Sequence, residues 1–443
     1  MKRLLSTIIF FLALAARAAA SLGFAGNVLP VIDVAPAAST GLEAIYVLSS
    51  TDGVRVASPY PSSTWQIFGS MGGAYAEVLG PASDELILGS GDTGILIVDD
   101  SGRQHCFWIV DYAAHELELR SLAPVEGQAD CDRVALALDG AAEAIPFYTI
   151  TGRRETLSRE LLLEYDSQEF DKDAFVYRDI KSEVKLDGAG SVFGAPAPLR
   201  DTRFTLTGDR FLRRWGRELS VSSDEFRTSA VACESRAEQT ERNVDNEQKE
   251  DSAEGLGGSA PCEVNFSAAV SSGVVFREWQ ISRTADFEIP ENSFNEDSFT
   301  YTFDEKGTFY VRLMVNNEGG TCAVASEVYE VFIGESRLDI PNAFSPNASP
   351  GVNDEWKVSY RSLVEFECHI FNRWGTRMCS FTDPSQGWDG KYGGKFVPAG
   401  TYYYVIKARG ADGVEYKRSG DINIINFREG SGTSGSQENQ GAQ

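Results

Sequence analysis

The sequence predicts an all-β chain built from tandem sandwich domains, and three observations carry that prediction. Apolar residues recur with period two, as in Val264, Phe266 and Ala268, in Phe309, Val311, Leu313 and Val315, and in Tyr329, Val331 and Ile333. Such alternation buries one face of a strand and wets the other, the pattern of an antiparallel sandwich sheet. Turn residues separate the runs at about ten-residue intervals. Composition agrees, because 42 Gly and 16 Pro in 443 residues are too many breakers for a mainly helical chain, while 42% hydrophobic and 11% aromatic content excludes wholesale disorder. A chain of this length should form two to four units.

Taken from the N-terminus, Lys2 and Arg3 precede an apolar run over residues 4–16, and Ala18, Ala19 and Ala20 supply the small residues a signal peptidase reads. Residues 1–20 are expected to be a secretory signal, passed through the general secretion machinery and cut between Ala20 and Ser21. The run is shorter than the ~20 apolar residues that a membrane anchor needs. Residues 27–122 read as an Ig-like sandwich with strands at 44–48, 86–88, 95–98 and 107–110, punctuated by Thr51-Asp52-Gly53, Gly72-Gly73, Gly91-Asp92 and Asp100-Ser101-Gly102. Residues 123–234 form a second β-rich, Ig-like segment with strands at 133–138, 147–150 and 204–207, and residues 157–164 fit either a strand or a short helix. Whether the two segments have separate cores or one shared core stays open.

Residues 234–254 hold eight acids against three bases and almost nothing apolar, so 235–259 reads as a solvated acidic linker, with a surface helix as the alternative. Residues 260–335 return to clean alternation, with Trp279 as a central core aromatic, and residues 429–443, rich in Gly, Ser and Gln, are expected to be disordered.

The net charge of −25, from 40 Lys and Arg against 65 Asp and Glu, repels phosphate backbones, so nucleic acid is excluded as a partner. Three histidines leave little material for a zinc site or a catalytic relay, and the spacing of His105, Cys106 and His115 fits no ligand pattern. Glu164, Asp166, Glu169, Asp171 and Asp173 read as a solvated acidic face, and no nucleophile-elbow, zincin or phosphate-loop motif occurs. The expectation is a non-enzymatic protein with no catalytic residue, metal or cofactor.

Seven cysteines in an oxidising compartment permit disulfides and leave at least one thiol over. Cys368 and Cys379 flank a hairpin around Asn372-Arg373-Trp374-Gly375 and stand opposite each other in that register, as a bridge or as two buried thiols. Cys262 and Cys322 bracket one domain and are the second candidate pair, whereas Cys106, Cys131 and Cys233 are unassigned.

Residues 338–428 carry the most specific text. They open with Pro341, Asn342, Phe344, Pro346 and Asn347, continue through Asn353, Asp354 and Trp356 to Asn372, Arg373, Trp374 and Gly375, then run Trp388, Asp389, Gly390, Pro398, Gly400, Tyr402 and Tyr403. In this order the blocks resemble the gliding-motility-associated C-terminal domain, the type B sorting signal of the type IX secretion system of Bacteroidetes. The resemblance implies a small antiparallel sandwich recognised by outer-membrane type IX components, and a two-stage route through the periplasm to the cell surface or the medium. Within residues 260–335, the runs 276–281 and 307–313 resemble the PKD-like module, a surface-protein spacer.

Two details qualify the resemblance. Ala348, Ser349 and Pro350 stand where family members commonly place an Asp-rich turn, leaving Asn353 and Asp354 as ligands for a cation that wants six to eight oxygens, so no calcium is expected there. Arg373-Trp374-Gly375 reads either as an exposed recognition tip or, with slight preference, as a turn whose Trp folds back on the sheet. The module has eleven bases and ten acids, so residues 1–337 carry −24 once the two tail acids are counted. The whole reads as a secreted or cell-surface structural or gliding-motility-associated protein. The alternative is an adhesin that binds a surface polysaccharide or protein through residues 27–234.

Overall fold

The structure is a computed structural model that describes residues 21–26, 29–69, 77–79, 85–248, 255–346 and 353–425. The cleavage position Ala20, Asn347 and the C-terminal tail lie outside the described residues. Two compact units emerge, one of residues 1–169 and 179–230, the other of 170–178 and 231–443. Among the described residues of both, strands are by far the main regular element, as the alternation requires. Among the described residues no helix is long and apolar enough to cross a membrane.

The first unit is organised around a six-stranded sheet in the order Ile32–Val34, Ala44–Leu48, Gln104–Asp111, Thr93–Val98, Thr64–Phe68 and Glu77–Leu79. Ala44–Leu48 runs parallel to Gln104–Asp111, and the other pairs are antiparallel. Both faces are covered. Ala44, Tyr46, Leu48, Ile95, Ile97, Phe107 and Ile109 pack with Val54, Val56 and Trp65 on one side. Ile45, Val47, Leu96, Cys106, Trp108 and Val110 share the other side with Leu122, Val134, Leu136, Leu161 and Phe204. A strand buried on both faces reads as an apolar run without alternation, which is why 44–48 is apolar throughout. The segments meeting at 122 and 123 therefore share one core, and that junction falls inside the strand Glu118–Ala129.

Residues 157–164 are not helical. Leu157 ends the strand Arg154–Leu157 and 161–164 open the strand Leu161–Asp171, with 158–160 between them and Glu160 at φ +49°. The helix Arg210–Arg214 is capped by Asp209, whose Oδ1 accepts from the amides of Phe211 (3.0 Å) and Leu212 (2.9 Å). The other carboxylate oxygen of Asp209 takes Arg159 Nη1 at 2.6 Å and the hydroxyl of Tyr112 at 2.9 Å, with both charged side chains buried.

The second unit begins with a sandwich. Cys233–Gln239, Cys262–Val270 and Ser298–Phe303 form one sheet. Leu256–Gly258, Tyr329–Ile333, Gly307–Asn316, Phe276–Ser282 and Asn292–Phe294 form the other, with Ala323–Ala325 paired to Gly307–Asn316. Val264, Phe266, Trp279, Val311, Leu313 and Val331 are all fully buried.

The acidic segment departs from expectation. Residues 233–239 are a strand paired over its length with Cys262–Val270, and 256–258 pairs parallel to Tyr329–Ile333. The segment orders itself through backbone hydrogen bonds, which need no apolar side chains, and through a few buried polar contacts described below. Residues 249–254 lie outside the described residues.

The C-terminal module is a five-stranded sheet in the order Ala343–Phe344, Glu415–Ile424, Gly400–Gly410, Leu363–Phe371 and Arg377–Phe381. Phe366, Cys368, Ile370, Ile406 and Ile422 point from it into the core closed by Trp356, Val358 and Trp388.

Candidate functional site

The C-terminal module is built around two buried tryptophans and the turns that hold them. Trp356 and Trp388 face each other across a short antiparallel bridge and exchange backbone hydrogen bonds of 2.9 and 3.0 Å. Each indole finds a carbonyl: Trp356 Nε1 donates to Pro341 O at 2.7 Å and Trp388 Nε1 to Lys391 O at 3.0 Å. Phe344 and Tyr402 pack on Trp388 with ring centroids 5.6 and 5.2 Å away, and the Tyr402 hydroxyl donates to Pro398 O at 3.0 Å. Gly390, at φ +75°, lets the chain pass so close that a Cβ there would sit 3.0 Å from Pro346 Cγ. Asp389 fixes the same turn by accepting from Lys391 N (3.0 Å) and Lys391 Nζ (2.7 Å).

Other motif residues close the edges. Asn342 O accepts from Asn423 N at 2.9 Å, seating the strand Ala343–Phe344 parallel to Glu415–Ile424. Asn353, at φ +55°, accepts from Ser345 N at 3.1 Å, with Asp354 half-buried beside it, and Gly400 opens its strand at φ +147°. The loop at 347–352, where a cation would be sought, lies outside the described residues.

The hairpin tip stands apart from this cluster. Asn372 Oδ1 accepts from Trp374 N (3.0 Å) and Thr376 N (2.9 Å), Gly375 takes φ +82°, and the Arg373 guanidinium lies 4.2 Å from the Trp374 ring centroid. Trp374 is 73% exposed, so it does not fold back on the sheet. Behind it, Phe371 pairs with Tyr403 and His369 with Val405, and Tyr403 and Val405 are exposed. The tip and this outer face form an aromatic ledge, whereas the far end of the same strands carries Glu365 and Arg409 in an ion pair of 2.6 Å.

Residues 338–424 match the CHU_C type IX secretion signal domain. The match covers the buried tryptophan cluster and the hairpin tip of the signal domain alike. Residues 123–223 match a fibronectin type III domain, which fits the second β-rich segment of the first unit. No curated protein matches the chain. Among solved structures, the tetra-tandem repeat of a large adhesion protein aligns at 10% identity over 85% of this chain and 96% of that one, with a TM-score of 0.20. Fibronectin(III)-like modules of CbhA from Clostridium thermocellum align at 13% identity over 40% and 94%, TM-score 0.18. The N-terminal domains of the bacteriophage RB49 outer capsid protein Hoc align at 11% identity over 70% and 99%, TM-score 0.22. A type IX signal domain at the C-terminus implies export to the cell surface or the extracellular space.

The cysteine pairs proposed from sequence are not formed. Cys262, Cys368 and Cys379 are free thiols. The turn closes on Asn372 and Thr376, one residue off the expected register, and a bulge after Ile370 adds a second, so Cys379 lies opposite Ile370 and Cys368 opposite Phe381. Burial pushes the Cys368 thiol up to about 12, with neighbouring Cys379 adding to the shift.

The histidines are held by carboxylates. His105 Nδ1 lies 2.9 Å from Glu43 and Nε2 3.3 Å from Asp99, its ring stacked on Tyr60 at 3.8 Å, and His115 Nε2 lies 2.8 Å from Asp92. Among the described residues no group of three or more His, Cys, Asp and Glu side chains could hold a metal ion. The exposed large apolar side chains described in residues 29–234 are Ile87, Val176, Val192 and Leu219, none of them aromatic.

Sequence reading missed Asn246, Glu247, Ser259 and Ser362, which tie the signal domain to the preceding sandwich. All four are single polar residues without periodicity, and three sit in text that composition marks as linker.

Proposed function

We propose that residues 21–337 are a non-enzymatic passenger, carried to the cell surface or the medium by the type IX secretion system of a Bacteroidetes cell and serving there as a structural or gliding-motility-associated component. Residues 1–20 would direct the first step, through the inner membrane, and end in cleavage after Ala20. The observation that supports this reading is the signal-domain match over 338–424, on a module whose motif residues Phe344, Trp388 and Tyr402 pack with Trp356 in one buried core. In this reading the aromatic ledge at Trp374 meets the outer-membrane machinery, since an exposed Trp stacked by Arg has the makeup of an interface hot spot.

Deleting residues 338–428 should leave the passenger in the periplasm when cells are fractionated, and a truncated chain found outside the cell would overturn the reading. Trp374→Ala should reduce export while leaving the melting temperature of the purified protein unchanged. Export at the wild-type level would remove the ledge from the recognition surface without touching the role of the domain.

A further inference from the structure

The matched signal domain begins at residue 338, yet one of its strands is completed by residues that lie about ninety positions upstream. Ser359–Arg361 pairs on one side with Arg337–Asp339. On its other side it pairs in parallel with residues 246–248: Tyr360 N donates to Asn246 O at 3.1 Å, and Gln248 N donates to Tyr360 O at 2.7 Å. Side chains repeat the attachment. Asn246 Nδ2 donates to Val358 O and to Pro384 O, both at 2.8 Å, and Gln248 Nε2 reaches Ser359 Oγ at 2.7 Å and Asp339 Oδ2 at 3.0 Å.

Between Asn246 and Gln248 stands Glu247, whose side chain is 4% exposed. Its Oε1 accepts from Arg242 Nη2 and from Ser259 Oγ, each at 2.6 Å, and Ser259 Oγ in turn accepts from Ser362 N at 2.9 Å. Ser362 is fully buried in the left-handed region at φ +48°, and its Oγ accepts from Ala260 N at 3.2 Å. A buried carboxylate held by one guanidinium and one hydroxyl is a site whose partners cannot be removed cheaply. On the sandwich side Lys306 N donates to Ala411 O (3.0 Å), and Ser336 N and Oγ donate to the two carboxylate oxygens of Asp412 (2.9 and 2.7 Å).

We infer that residues 241–248 are a strap belonging to the export signal: by filling the open edge at Ser359–Arg361 they make the sandwich and the signal domain one unit, and the type IX machinery reads that strapped unit. The inference rests on the export role proposed above. An edge strand without the strap would present unpaired N–H and C=O groups beside Tyr360, a surface for wrong pairing during passage through the periplasm. The acidic stretch is therefore a structural part of the address and not slack chain before it.

The test uses the full-length chain. Gln248→Pro removes the amide that donates to Tyr360 O and changes no residue of the signal domain, while Gln248→Ala keeps that amide. Losing one buried backbone hydrogen bond should speed hydrogen exchange at Tyr360 N by roughly 3- to 10-fold in Gln248→Pro, with a smaller change in Gln248→Ala. The secreted fraction should fall in the same order. Arg242→Gln paired with Glu247→Gln should lower export less than Arg242→Gln alone, because only the single change strands the buried Glu247 carboxylate without its guanidinium. Wild-type export with faster exchange in Gln248→Pro would show that the strap is not read, and unchanged exchange would show that it does not seal the edge. Either result overturns the inference while the deletion of 338–428 still tests the export role separately.

Discussion

Asp209 is the most constrained charged residue described in the first unit. One carboxylate oxygen caps the helix Arg210–Arg214, and the other holds Arg159 and Tyr112 with no exposure to solvent. Burial raises the Tyr112 hydroxyl well above its usual range, and the Asp209 charge adds to the shift, so Tyr112 stays a donor at every working pH. Breaking a buried ion pair from one side strands the remaining charge. Asp209→Ala should therefore lower stability by about 3–5 kcal/mol in urea unfolding, and Asp209→Asn by less, since the amide still caps the helix. A loss below about 1 kcal/mol for the alanine variant would mean that water reaches Arg159.

Among the elements, the turn at Gly390 and the hairpin tip at Gly375 offer a comparison that separates two costs. Both glycines have positive φ, which costs an L-residue about 1–2 kcal/mol. Only at Gly390 would a Cβ also press on Pro346 and Phe344, whereas nothing lies within 4 Å at Gly375. Gly390→Ala should thus lower the thermal midpoint more than Gly375→Ala, and equal shifts would show that the Pro346 loop yields. Elements of this kind were readable where one face is wet. Phe309, Val311, Leu313 and Val315 alternate, and they form one buried row of Gly307–Asn316. The run over 157–164 could not be assigned, because Leu, Arg and Glu fit helix and strand alike and the break at Glu160 is a backbone feature. The opposition of Cys368 and Cys379 failed for a similar reason, since neither the turn that closes on Asn372 and Thr376 nor the bulge after Ile370 leaves a trace in composition. The strand at 233–239 was illegible because its less exposed positions are Cys233, Ser235, Ala237 and Gln239, none of them a large apolar residue.

For the whole molecule, the motif order of residues 338–428 made the signal domain legible before any fold was known, whereas the strap was hidden by its charge. Thiol chemistry gives a check at this scale. Cys106 and Cys368 are buried, and burial holds each thiol up at about 12, so neither should react with iodoacetamide in the native protein at pH 8. After denaturation without reductant, mass spectrometry should find Cys106, Cys233, Cys262, Cys368 and Cys379 alkylated. A Cys368 or Cys379 that stays unlabelled until reductant is added would show that the hairpin thiols are bridged after all.

The six-stranded sheet, covered on both faces, has a consequence for how such proteins are assembled by recombination. Because Glu118–Ala129 runs through the junction expected at 122, a crossover there would leave Trp108 and Val110 on one parent and Leu136 and Phe204 on the other, with mismatched packing between them. The first unit, which ends at residue 230, should therefore be inherited as a single cassette, and exchange between relatives should fall at its ends.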